Sequence, residues 1–453
     1  PLRAERHAMP LLAAHETRQA RAGEPDQPVL QLTLDRDLQK ALEDLARRRT
    51  AALPAPLSMA IVVADHQTGG ILASVGAPDL LDDSRAGHVD MTRAVRSPGS
   101  ALKPFIYGLA FEEGIGMPES LIVDRPTDIG GYRPTNFDLA YQGTVTLSEA
   151  LQLSLNTPAV QLLEAVGPSR LLARLKRAGV RPQLEAGKVP GLAIGLGGIG
   201  LSLRDLTQAY AALARQGRAV SLRTCSSSCG EMEPSGTGHL PVLAERSAYQ
   251  VTDILSGLQQ PLSPAHGPLA YKTGTSYGYR DAWAVGYDGR YVAGVWSGRA
   301  DGSPVPGQTG AQTAVPVLQE VFQALAGGRQ PLPKPPEQTL GAAARSVPEP
   351  MRYARVTNRP EIHRAANRLG ITFPPDGAEL VLGGHEGGLQ PLVVKFRGGR
   401  APYRLFINGA PAGTAEFDPR ISWDAPENGF ADVLILDSMG QSSKISVMVA
   451  VQH

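Results

Sequence analysis

The sequence predicts an α+β domain, an antiparallel sheet flanked by helices, followed by a small all-β sandwich. Three observations carry this reading. Strand-like runs at 59–75 and 281–297 bracket a long stretch of helical spacing. A proline-rich segment at 330–350 then interrupts the chain. Beyond it only short alternating runs remain. At 453 residues the chain is too long for one ordinary core, so several domains are expected.

In order, residues 1–28 read as a linker remnant and 29–34 as a strand. Asp35 opens a helix to about Arg49, with Leu38, Leu42 and Leu45 at helical spacing. Met59–Asp65 and Ile71–Val75 form a hairpin around a Gly-containing turn, and 78–92 is a polar loop. A helix follows from Ser100 to about Glu112, with Pro104 in its tolerant first turn. Helices are expected at 146–165, 168–178 and Leu203–Gln216, the last stopped by Gly217. Strands Asp281–Tyr287 and Tyr291–Ser297 meet at Asp288-Gly289-Arg290, and Gln312–Ala326 is helical. The first domain is thus 29–329, with a Pro-rich linker at 330–354. The sandwich occupies 355–453, with strands at Glu379–Leu382, Leu392–Phe396, Tyr403–Ile407, Ala431–Leu436 and Lys444–Val451.

Composition excludes several classes. The net charge of +1 offers no broad basic field for nucleic acid. No run approaches the roughly 18–20 apolar residues of a membrane span. The start shows no signal-peptide pattern and no initiator Met, so a fragment that has lost its anchor is expected. His385-Glu386 lacks a second ligand at helical spacing, so no metal and no cofactor are expected. Cys225 and Cys229 would close a tight disulfide in an oxidising compartment. Trp283 and Trp296, on consecutive strands, read as core. Arg280 and Asp281 read as no more than a turn pair.

Chemistry concentrates elsewhere. Ser100 and Lys103 stand three apart on one helix face, where a neutral amine can take the hydroxyl proton. Only eight lysines occur against 36 arginines, so an amine at Lys103 or Lys272 is a chemically pointed choice. Alone, S-x-x-K is weak, since a capping serine and a solvated lysine write the same letters. Ser154-Leu155-Asn156 and Lys272-Thr273-Gly274-Thr275 follow in order, and the trio together is specific.

The trio, with Phe105-Ile106-Tyr107-Gly108, Gly131-Tyr132-Arg133-Pro134-Thr135-Asn136, Gly195–Tyr210 and Asp281-Ala282-Trp283, resembles the transpeptidase part of class A penicillin-binding proteins. The match runs from about 29 to 326, and the tail is similar to the C-terminal module of the 1C branch. The resemblance implies a serine transpeptidase/β-lactamase-like fold and a D,D-transpeptidase acting on the D-Ala-D-Ala stem peptides of peptidoglycan. It implies acylation at Ser100, Lys103 as general base, and Ser154 with Lys272 passing a proton to the leaving amine. Asn156 would orient Lys103 and the substrate amide. Lys272, Thr273 and Thr275, with Gly274 in the same substrate-binding run, would hold the terminal carboxylate, Lys272 supplying the positive charge. Backbone N–H groups of Ser100 and Thr275 would form the oxyanion hole. Apart from the resemblance, Tyr277 and Tyr279 stand just after the Lys272 strand, where they would line the cleft.

β-Lactams are then expected as covalent inhibitors. Residues 166–200 hold one acid, Glu185, with no nearby Asn, so rapid hydrolysis of a penicilloyl ester is not expected. The resemblance also implies a glycosyltransferase domain and a membrane anchor upstream, placing the protein on the periplasmic face of the inner membrane. Two alternatives stay open: a D,D-carboxypeptidase with water as acceptor, and a catalytically weak cell-wall scaffold whose β module recruits protein partners.

Overall fold

The computed structural model describes residues 11–184, 190–225, 241–258, 267–337, 347–356, 369–385, 388–389, 391–416, 418, 420–423 and 428–452. The chain divides into two units, Pro1–Thr357 and Asn358–His453.

The segment expected to be a linker remnant carries a helix, α1 (Ala14–Gly23). It belongs to the domain because Glu16 is buried beneath it, bonded to Arg93 at 3.0 Å, Arg204 at 3.1 Å and Thr224 at 2.8 Å. The strand expected at 29–34 does not form. There a bridge runs from Leu32 to Cys225, with Thr33 N–H donating to Thr224 O and Thr33 Oγ1 to Ile71 O at 2.7 Å, contacts that tie the stretch down without making a ladder. Cys225 is held in a disulfide; Cys229 lies outside the described residues. Asp35 caps α2 (Arg36–Ala51), its carboxylate accepting from the N–H groups of Asp37 and Leu38.

The expected hairpin is β1 (Leu57–Asp65) and β2 (Ile71–Val75). After it come α3 (Lys103–Glu112), the small ribbon β3 (Leu121–Asp124) and β4 (Gly143–Thr146), and helices α4 (Leu147–Gln152), α5 (Asn156–Val166) and α6 (Pro168–Arg177). The helix expected at 146–165 is therefore two, broken at Leu153-Ser154-Leu155. Next are α7 (Leu203–Ala214) and α8 (Glu245–Ser256), then β5 (Ala270–Thr275), β6 (Asp281–Tyr287), β7 (Tyr291–Arg299) and α9 (Val315–Ala324).

The central sheet is antiparallel, in the order β2-β1-β7-β6-β5. Side chains alternate across it. Ala293 and Val295 of β7 join Leu42 and Leu45 of α2 and Leu318 and Phe322 of α9 in one core. Gly294 faces the other way, against Leu203 and Thr207 of α7. Both faces are covered, which is why β1 and β6 are buried throughout. Leu42→Ala in that core would cost about 2–5 kcal/mol. Gln39 closes the outer edge of β2, its side-chain amide bonding both N–H and C=O of Ser74. The opposite edge, β5, is left for the site.

The proline-rich segment is not a free tether at either end. Gln330 N–H donates to Asp288 Oδ2 at 2.9 Å. Further on, Leu121 N–H donates to Arg352 O and Ala354 N–H to Leu121 O, so residues 352–354 complete the second edge of β3. Proline lacks a donor, but its neighbours keep theirs, and an open strand edge takes them up.

The second unit holds a six-stranded sheet and a three-stranded sheet. The first has β9 (Glu379–His385), β10 (Gly388–Leu389), β12 (Tyr403–Ile407), β13 (Ala410–Ala415), β15 (Gly429–Leu436) and β16 (Ser442–Gln452). The second has β8 (Gly370–Phe373), β11 (Leu392–Arg397) and β14 (Arg420–Trp423). Val394 and Phe396 from one sheet pack with Leu405, Val433 and Val447 from the other, the core of a sandwich.

Candidate active site

Ser100 sits on a tight turn. Gly99 takes φ 52°, and a Cβ there would stand 2.3 Å from Thr275 O. Only glycine lets the turn abut β5 so closely. Residues 99–102 form a 3₁₀ turn that runs into α3, which brings Lys103 one turn beyond Ser100. Trp283 Nε1 donates to Ser97 O at 2.9 Å and Tyr210 OH to Ala101 O at 2.7 Å, pinning the turn on both sides. Ser100 is half-buried, and its Oγ has no hydrogen-bond partner among the described residues.

Lys103 and Lys272 are both fully buried, with Ser154 between them. Lys272 Nζ donates to Ser154 Oγ at 2.9 Å, and Lys103 Nζ reaches the same oxygen at 3.4 Å. Lys103 also donates to Asn156 Oδ1 at 2.6 Å and to Ser154 O. Burial holds the Lys103 amine well below its ordinary range; the Lys272 cation pushes the same way and Asp124 opposes both. Burial alone pushes Lys272 down to about 7. Lys272 thus bears on Lys103 as a neighbouring cation, a push that favours the neutral form of the Lys103 amine.

The break between α4 and α5 presents Ser154. A capping box of Thr146 and Glu149 starts α4, and Leu153 and Leu155 turn the chain by bonding Glu149 O and Ala150 O. Ser154 takes φ 58°, a left-handed conformation rare outside glycine. A continuous helix would carry its hydroxyl past the lysines. Asn156 opens α5; its Nδ2 donates to Thr135 O and its backbone N–H to Asn136 Oδ1, both at 2.7 Å.

On β5, Lys272 and Gly274 are buried, while Thr273 and Thr275 are half-buried on the alternate face. A Cβ on Gly274 would stand 2.4 Å from Pro98 O, so glycine is needed where strand and turn cross. Thr275 Oγ1 accepts from Gly310 N–H at 3.2 Å. Tyr277 is 97% exposed at the open end, and Tyr279 meets Phe137 edge to face at 5.2 Å.

Asp281 is more than part of a turn pair. It starts β6 buried, accepting from Trp296 Nε1 at 2.9 Å and from Ser276 Oγ at 2.8 Å. Burial raises its pKa against the pull of those bonds and of Arg96. Trp283 and Trp296 are fully buried core, as expected. Among the described residues no cluster of His, Cys, Asp or Glu is arranged to hold a metal, and Glu185 lies outside them.

Comparison with known proteins meets this geometry. The profile of the penicillin binding protein transpeptidase domain matches residues 59–296. The chain belongs to that family. Its second unit matches the Penicillin-Binding Protein C-terminus Family over residues 360–447. Among relatives, this penicillin-binding protein is 47% identical over 309 residues to penicillin-binding protein 1C of Escherichia coli, covering 67% of this chain and 39% of that one. It is 33% identical over 254 residues to penicillin-binding protein 1F of Bacillus subtilis, covering 52% and 34%. The chain thus spans well under half the length of these curated relatives. In fold it is similar to PonA1 of Mycobacterium tuberculosis in complex with penicillin V, with a TM-score of 0.60 at 24% identity over 72% of this chain and 96% of that one. Among the described residues no helix is long and apolar enough to cross a membrane.

Proposed function

We propose that this unit is a D,D-transpeptidase that acylates Ser100 with a stem peptide ending in D-Ala-D-Ala. The observation that carries the reading is the chain Lys272–Ser154–Lys103, one hydroxyl held between two buried amines. Ser100 Oγ attacks the penultimate D-Ala carbonyl and Lys103 Nζ takes its proton. The C–N bond breaks, and the leaving D-Ala nitrogen receives a proton through Ser154 Oγ, replenished from Lys272. Thr273 and Thr275 bond the terminal carboxylate beside the Lys272 charge, and Tyr277 borders the cleft. N–H groups of Ser100 and Thr275 stabilise the oxyanion. An acceptor amine from a second stem peptide then attacks the ester carbonyl and passes its proton through Ser154 Oγ back to Lys272; the C–O bond breaks, and Lys103 returns its proton to Ser100 Oγ.

Benzylpenicillin stands in for the donor, and its ring-opened acyl group stays on Ser100. Intact-mass spectrometry after incubation should show one stable adduct, mapped to the Ser100 peptide and absent from Ser100→Ala. A folded protein with no adduct after hours would sink the acylation reading and favour a scaffold role for the β module. Penicillin consumed without an adduct would make the chain a hydrolase of β-lactams. We further propose that the whole protein works on the periplasmic face of the inner membrane, as the likeness to longer penicillin-binding proteins supports.

A further inference from the structure

Asp124 ends β3 with its side chain fully buried. Among the described residues no lysine or arginine forms an ion pair with it. Its carboxylate accepts instead from Gln142 N–H at 2.8 Å and from Asn136 Nδ2, which lies 2.9 Å from one oxygen and 2.8 Å from the other. Removing a carboxylate from water costs several kcal/mol unless bonds replace the solvent, so those two donors are held firmly.

The consequence falls on Asn136, itself buried. With Nδ2 committed to Asp124 and to Ala140 O at 2.8 Å, its Oδ1 must face the opposite way. There it accepts the backbone N–H of Asn156 at 2.7 Å. Flipping the amide would set its oxygen against the carboxylate. Asn156, tied by Nδ2 to Thr135 O, is left with Oδ1 for Lys103 Nζ.

We infer that Asp124 and Asn136 are positioning residues for acylation: the carboxylate orients Asn136, Asn136 fixes the start of α5, and Asn156 aims the Lys103 amine. This rests on the reading of Ser100 as the acylated nucleophile. The charged groups that bear on Lys103 are Lys272 from β5 and Asp124 from β3, and they act with opposite sign. Tyr107, one turn further along α3, feels the same carboxylate; burial first and Asp124 second hold its phenol protonated.

The test is stopped-flow acylation by a fluorescent penicillin, followed against pH for wild type and Asp124→Asn, with folding checked by circular dichroism. Lys103 must be neutral to accept the proton, and removing Asp124's charge favours the neutral form. The acid limb should therefore move down by at least about half a pH unit. The plateau rate should fall by about tenfold to a hundredfold. An acid limb left in place would overturn the inference, even with a lowered melting temperature.

Should Asp124→Asn not fold, Asn136→Ser carries the test. Its acylation step should slow by about tenfold or more while the preceding non-covalent affinity stays within about threefold. A rate within twofold of wild type, or a loss confined to affinity, would overturn it. Failure of both variants to fold would assign the pair to stability alone. Wild type that is not acylated would overturn the parent reading with it, whereas acylated wild type and an indifferent variant would overturn only this one.

Discussion

Lys272 Nζ, fully buried, stands 2.9 Å from the Oγ of half-buried Ser154. With Lys103 on the far side of that hydroxyl, a proton can leave one amine and be supplied by the other without crossing solvent.

The first prediction concerns pH. Acylation should rise as Lys103 loses its proton and fall as Lys272 loses its own, which burial has brought to about 7. A stopped-flow profile should be bell-shaped. Lys272→Met should abolish the alkaline limb. It should also move the acid limb upward, because a cation that held Lys103's pKa down is gone. A profile unchanged in shape would contradict the assignment.

Ser154 supplies a second. Ser154→Ala and Ser154→Gly both delete the hydroxyl, and both should slow acylation by roughly a hundredfold or more. Their stabilities should differ. Because residue 154 sits at φ 58°, the glycine variant should be the more stable by about 1 kcal/mol. Thermal melts of the two variants compare them directly.

Gly99 supplies a third. Gly99→Ala sets a Cβ 2.3 Å from Thr275 O at a positive φ, so turn and strand must part. Acylation should fall by about a hundredfold while far-ultraviolet circular dichroism stays that of a folded protein. Retention of the wild-type rate would show that the close approach is unnecessary.

Glu16 supplies the fourth, on stability. Burial alone would raise its pKa, but Arg204, then Arg93, with Thr224, outweigh burial and lower it. A lowered carboxylate pKa gives stability that is present above the unfolded value and lost as pH falls through the folded one. Glu16→Gln should destabilise by about 3 kcal/mol at neutral pH. The gap in melting temperature should close in acid below the ordinary carboxylate range. A gap independent of pH would mean that packing, not charge, holds α1.

Much of this was legible in the sequence where period and punctuation agree. The β1–β2 hairpin, α2 behind its Asp35 cap, and the β6–β7 pair all stand where alternation and turn residues put them. The trio Ser100/Lys103, Ser154/Asn156 and Lys272 was legible by spacing and resemblance, and the fold brings Lys103, Ser154, Asn156 and Lys272 into hydrogen-bond range.

What stayed hidden depends on partners far along the chain. The break at Ser154 has no Gly or Pro to announce it, since Ser itself takes the left-handed turn. Asp124 looks like an ordinary strand end until Asn136 is folded onto it. Glu16 lies in a polar segment, and only Arg93 and Arg204 make its burial tolerable. Helix α8 went unread, although Ala248, Val251 and Leu255 hold helical spacing. Strands β8 and β13 lack the alternation that marks their neighbours, and β14 alternates over only four residues, Arg420–Trp423.

On the function proposed, Ser100 transfers a D-alanyl acyl group from a stem peptide to an amine. The most direct measurement incubates the protein with a pentapeptide donor ending in D-Ala-D-Ala and a short amine-bearing acceptor peptide, and follows products by mass. Free D-Ala should appear in step with a donor–acceptor amide, and both should be lost in Ser100→Ala. D-Ala released with only hydrolysed donor would make water the acceptor, and no release from a folded protein would contradict the claim outright.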